Sequence, residues 1–113
     1  MRFATLVLCL ALGVGCAPSE QEIRKEFEEF VTRHNACERD EDCTLITPGC
    51  PLGCWTPLRK DAADEGARLA DELIDDYESA GRACEYDCVS ACGARCTDKV
   101  CAPRLDAECP VPQ

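Results

Sequence analysis

Apolar residues fall into two helical stripes along this chain. Ile23, Phe27, Phe30 and Val31 stand at i, i+4, i+7 and i+8, one face of an otherwise charged segment. Ser19 followed by Glu22 has the spacing of a capping box. Glu20 with Arg24 and Glu29 with Arg33 are favourable i,i+4 pairs. Arg33 and His34 place positive charge where a helix C-terminus favours it, and Asn35 can end the helix. A helix over 20–34 is predicted. The second stripe is Leu58, Ala62, Leu69, Ala70, Leu73, Ile74 and Tyr77. Thr56-Pro57 reads as an N-cap followed by proline at the first helical position, and Gly81 as the stop. This predicts a helix over 57–79, about 34 Å long at the α-helical rise. Gly66 is the position inside it where a kink or a close crossing fits.

The remaining segments are punctuated by cysteine, glycine and proline. Cys37–Cys43 is a polar loop, Thr44–Thr47 a short β-prone stretch, and Pro48–Cys54 turn chemistry holding two cysteines. Arg95–Ala102 reads as a small hairpin turning at Asp98-Lys99, placed to pair with 44–47. Cys84, Cys88 and Cys92 would share a face if their stretch were helical. No cysteine lies between Cys54 and Cys84, so the bridged regions are expected at opposite ends of a straight second helix. The fold class is α+β: two helices packed together beside a small cross-linked β-hairpin.

Composition changes the picture in one respect. Twelve of 113 residues are cysteine while aromatics make up 5%. A chain this short forms one domain, and cysteine at that density marks a disulfide scaffold in place of a large apolar core. Zinc sites favour close C-x2-C pairs, but the close spacings here are C-x3-C, at Cys50/Cys54, Cys84/Cys88, Cys88/Cys92 and Cys92/Cys96. Bridges are therefore expected among Cys37, Cys43, Cys50, Cys54, Cys84, Cys88, Cys92, Cys96, Cys101 and Cys109, with connectivity open and no metal or other cofactor. A formal charge of −10 sets the chain against nucleic acid, whose phosphates it repels.

The N-terminus supplies an address. Met1-Arg2 precedes an apolar run, Phe3–Val14, of signal-peptide length and too short to span a bilayer. The run ends Leu12-Gly13-Val14-Gly15-Cys16, which resembles the lipobox of bacterial lipoproteins; Gly13 stands where that family usually has leucine, and Leu12 lies one place further out. The resemblance implies cleavage before Cys16, lipid on Cys16 and, with Ala17 next, the outer membrane. Gly13 and Gly15 also satisfy the small-x-small rule of general secretion, which would give a secreted or periplasmic product without lipid. Parity favours lipid: removing 1–15 takes Cys9 away, and a modified Cys16 leaves ten cysteines that can pair completely. The expected organisation is a signal peptide 1–15, an anchor cysteine and short linker 16–19, and a domain 20–113.

Cys37-x5-Cys43, then Gly49-Cys50-Pro51-Leu52-Gly53-Cys54, a long helix, Cys84-Glu85-Tyr86-Asp87-Cys88 and a terminal cysteine hairpin together resemble small, uncharacterised cysteine-rich lipoproteins of Gram-negative bacteria. That resemblance implies a location in the cell envelope and a fold type, and no activity.

Three surfaces are candidates. In the loop from Gly49 to Trp55, cysteines, glycines and Pro51 would hold Leu52 on a stiff exposed tip, as protease inhibitors present a scissile-like bond with little entropy left to lose. Trp55, the one tryptophan, is expected on a disulfide and the base of the second helix, or else as an interface anchor. Asp71, Glu72, Asp75, Asp76 and Glu78 place negative charge at a helix C-terminus, against the dipole, on a face suited to a basic protein partner or a weakly held divalent cation. No catalytic constellation is expected, because a nucleophile pair would need His34 beside a free thiol. Exchange chemistry usually shows C-x-x-C, whereas only wider C-x3-C spacings occur here, with Cys50/Cys54 the candidate for residual redox activity. The function expected is a non-enzymatic, lipid-anchored envelope protein with a binding or structural role. The alternative is a secreted inhibitor-like module acting through 49–55.

Overall fold

The computed structural model describes residues 18–105 and Cys109. The expected signal peptide and Cys16 lie outside the described residues. The elements are α1 (Glu20–Arg33), β1 (Cys43–Ile46), β2 (Thr56–Arg59), α2 (Ala63–Ser79), β3 (Ala91–Thr97) and β4 (Val100–Leu105), with single 3-10 turns at Asp40–Asp42 and Lys60–Ala62. The class is α+β, small and disulfide-rich, as the two stripes and the cysteine density predict.

α1 begins where its cap was expected: the Ser19 hydroxyl accepts the Glu22 amide at 3.1 Å, which satisfies one orphan donor of the first turn. Ile23, Phe27 and Phe30 are buried. The helix ends at Arg33, and His34 closes it: its amide donates to the Val31 carbonyl and its Nδ1 lies 2.7 Å from the Phe30 carbonyl. α2 ends at Ser79, with Gly81 in the left-handed region (φ +81°) donating to the Glu78 carbonyl, as a C-terminal glycine does. α1 and α2 share one core, in which Ile23, Phe27, Ala70, Leu73 and Tyr77 are buried against one another.

The beginning of the second helix is a correction. Thr56–Arg59 is not helical but strand β2, antiparallel to β1 in the register Cys43↔Arg59, Thr44↔Leu58, Leu45↔Pro57 and Ile46↔Thr56. Thr56 and Leu58 are buried while Pro57 and Arg59 are half-exposed, a period of two inside what reads as a period of 3.6. Proline's fixed φ suits a strand edge as well as a helix start, so Pro57 alone does not separate the two. The Lys60–Ala62 turn then redirects the chain into α2. Leu58 and Ala62 do reach the core, beside Phe30, but from a strand and a 3-10 turn.

Gly66 makes a close approach rather than a kink. A Cβ there would lie 2.6 Å from Leu58 Cδ1, 3.2 Å from Phe30 Cε1 and 3.3 Å from Ile46 Cδ1. α1, α2 and the β1–β2 hairpin therefore meet at a residue with no side chain.

The terminal hairpin forms, turns at Asp98-Lys99 as expected, and is longer than expected, from Ala91 to Leu105. Asp98 and Lys99 are both left-handed (φ 51° and 65°), the two-residue turn whose twist matches a right-twisted hairpin. It does not pair with 44–47: β1 is already taken by β2, and the two hairpins remain separate two-stranded sheets. They are joined by Cys43–Cys101 and, through the segment after α1, by Cys37–Cys96. Backbone bonds reinforce this seam, with the Cys101 amide donating to Asn35 O and the Cys37 amide to Lys99 O.

Residues 82–90 have no regular structure, so the helical face expected for Cys84, Cys88 and Cys92 is overturned. This strap is bridged to the 49–55 loop by Cys50–Cys84 and Cys54–Cys88. The expected separation of bridged regions at opposite helix ends fails for the same reason as the helix start. Because β2 runs back beside α2 instead of forming its first turns, the loop before β2 comes alongside the helix, and a Cβ on Gly49 would lie 3.9 Å from Ile74 Cδ1.

Candidate functional site

The ten cysteines from Cys37 to Cys109 form five bridges, the fifth being Cys92–Cys109. They divide by environment. Cys37, Cys43 and Cys101 are no more than 6% exposed and form a small core of their own, with Ala94 and Cys96 packed against it. Their three sulfurs lie within 4.8 Å of one another, a spacing a soft metal could use, but each is covalently paired. The Cys96 amide beside them donates to Asp40 Oδ1 at 2.8 Å.

The other environment is the strap and its loop. Within the loop, the Gly49 and Gly53 backbones exchange hydrogen bonds at 2.9 and 3.1 Å, closing a tight ring around cis Cys50-Pro51. Gly49 and Gly53 have φ of +93° and +139°, conformations that glycine adopts freely. Pro51 is fully buried, and Leu52 is half-buried against the Ile23/Phe27/Leu73 cluster. The exposed tip expected at Leu52 is therefore not formed: the ring turns Leu52 inward, where its apolar side chain covers the helix pair.

What faces outward is the strap. Cys84 and Cys88 are exposed, as are Glu85 and Asp87; Tyr86 is 42% and Val89 60% exposed. Two side-chain bonds tie strap to loop: Tyr86 OH donates to Pro51 O at 3.0 Å, and Trp55 Nε1 to Val89 O at 2.7 Å. Trp55 follows Cys54 in the chain, and its indole N–H reaches across to the strap at Val89, next to Cys88. Tyr86 and Val89 were not singled out from sequence. An aromatic centred between cysteines four apart is a signal, but it identifies a clasp only once both cysteines are known to bridge the same loop.

Asp71, Glu72, Asp75, Asp76 and Glu78 are all exposed on α2. Asp71 borders a shallow recess of about 220 Å³ with Ile46, Thr47, Pro48 and Ala67. These carboxylates spread along a helix face and do not converge. The perturbed acid lies elsewhere: Asp42 is held below its usual range because Oδ2 accepts the Glu38 amide at 2.9 Å and the Arg39 amide at 3.2 Å, with the Arg39 and Lys60 charges adding to this. It organises the turn leading into β1. His34 stacks on Phe30 at 4.2 Å between ring centroids and serves the end of α1.

No protein-family model, curated protein or solved structure matches the chain. Among the described residues, no helix is long and apolar enough to cross a membrane.

Proposed function

We propose that this is a non-enzymatic cell-envelope lipoprotein of the outer membrane, held by lipid on Cys16, whose disulfide-rich domain serves a binding or structural role. The observation that carries the reading is the closure of cysteine accounts within the domain. Each of the ten cysteines from Cys37 onward has its partner among the other nine, so Cys16 has no disulfide to make there. A cysteine outside that paired set, directly after an apolar run and small residues, fits consumption by a thioether to lipid. Five bridges also fit an oxidising compartment. The domain begins at Ser19, so the linker is short and holds the domain near the bilayer, while its net negative charge opposes adhesion to anionic head groups.

The alternative, a secreted inhibitor acting through 49–55, draws no support from Leu52, which packs inward. Intact mass measurement of the mature protein from a membrane fraction tests the proposal. The expected result is an N-terminus at Cys16 carrying acyl mass, lost with its membrane association in Cys16→Ser. An unacylated product in the soluble fraction would overturn it.

A further inference from the structure

We propose that Cys84 and Cys88 form a thiol–disulfide exchange site for an external dithiol, and that reaction there opens the 82–90 strap as one unit. Three observations converge on it. Both sulfur-bearing residues are exposed, whereas Cys37, Cys43 and Cys101 are buried; access governs the rate at which a thiolate reaches a disulfide. No residue from 83 to 90 takes part in a helix or strand, and among the described residues no backbone–backbone hydrogen bond ties that stretch down. The two bridges hold the same strap to the same loop, four residues apart on each side, and the bonds they supplement come from Tyr86 and Trp55.

The chemistry balances with the dithiol as reductant. Its thiolate attacks Sγ of Cys84, forming a mixed disulfide and releasing Cys50 as a thiolate, which takes a proton. The second thiol then attacks the reagent's own sulfur in the mixed disulfide, releasing Cys84 as a thiol and the reagent as its cyclic disulfide. Two electrons and two protons pass to the protein. Cys88 and Cys54 react in the same way. With both bridges open, the Tyr86 hydroxyl and the Trp55 N–H still join the strap to the loop, and Arg82 holds its start through the Pro18 carbonyl and the Tyr77 ring; release of residues 83–90 uncovers the Pro51 carbonyl and the indole. The product is an open form with a freed acidic strap and four thiols. None of this depends on the lipid on Cys16.

Graded dithiothreitol treatment of the folded full-length mature protein, quenched by alkylation and mapped by peptide mass, is the test. Trp55 is the single tryptophan, so its emission reports on the strap. Alkylation at Cys50, Cys54, Cys84 and Cys88 should need at least about tenfold less dithiol than at Cys37, Cys43, Cys96 and Cys101. The emission should shift over the same range while the helical circular dichroism stays constant. Cys92–Cys109 has one exposed partner, and its opening should leave Trp55 unmoved. Tyr86→Phe keeps all five bridges and should speed strap opening about threefold, the value of one hydrogen bond. Inner bridges opening first or together with the strap, an unmoved emission after four thiols have appeared, or an unchanged rate in Tyr86→Phe would each overturn the proposal.

Discussion

The α1–α2 layer and the β3–β4 hairpin are stabilised by different means within one short chain. Between the helices, Ile23, Phe27, Leu73 and Tyr77 exclude water as in any larger protein, and neither helix contains a cysteine. The hairpin has almost no such face. Its buried residue is Cys101, most of the others are half-exposed or exposed, and it is held by Cys37–Cys96, Cys43–Cys101 and a few backbone bonds. A disulfide acts largely by limiting the unfolded chain, whereas packed side chains act in the folded state. The hairpin should therefore respond to redox conditions, and the helix pair to substitutions in its packing. β1–β2 lies between the two regimes: Leu58 belongs to the helical core and Cys43 to the cystine core.

The largest expected effect separates the halves. Replacing Cys43 and Cys101 together by alanine removes a bridge spanning 58 residues, for a loss of about 4 kcal/mol. Removing Cys54 and Cys88 together opens a span of 34 residues at the surface and should cost slightly less, about 3.7 kcal/mol. Urea denaturation of both pairs checks the order. Amide exchange should show the β3–β4 hairpin losing protection before the helices in the first variant. Equal protection throughout would mean that the two halves unfold as one.

On the helical side, Leu73→Ala should cost about 3 kcal/mol, because it empties a buried site between Ile23 and Tyr77. Gly66→Ala sets two effects against each other. Alanine improves helix propensity by up to about 1 kcal/mol. Its Cβ, at 2.6 Å from Leu58 Cδ1, forces a repacking that costs about 1–3 kcal/mol. Net destabilisation is expected, and a raised thermal midpoint would show that Leu58 yields freely.

How much was legible follows the same division. α1 could be read almost to the residue, since its stripe, cap and terminal charges all agree. The Asp98-Lys99 turn was legible because two residues between β-prone flanks have few ways to reverse a chain. Residues 56–62 were misread because Leu58 and Ala62 extend the α2 stripe by coincidence of spacing, while Thr56 and Leu58 also satisfy a strand. That error displaced the 49–55 loop and concealed its pairing with the strap, since disulfide partners are set by the fold and not by spacing. The inward turn of Leu52 and the clasp made by Tyr86 and Trp55 became visible only with the loop in place.

The smallest effect concerns the seam between the halves, where Asp42 caps the turn leading into β1. Its carboxyl is lowered from the ordinary value of 3.8, chiefly by the amides of Glu38 and Arg39. A carboxylate more acidic when folded than when unfolded stabilises the fold above its unfolded pKa, and the contribution disappears as pH falls through the folded pKa. Wild-type stability should therefore decline as pH falls below about 4, with part of that slope absent in Asp42→Asn. The variant should be weaker than wild type at neutral pH and converge on it in acid. Urea midpoints between about pH 6 and pH 2 measure the difference, and exchange of the Glu38 and Arg39 amides locates it. A constant gap across that range would mean that the side chain acts at this turn by shape and hydrogen bonding rather than by charge, leaving the join between the helical and cystine halves without a charge-dependent component at Asp42.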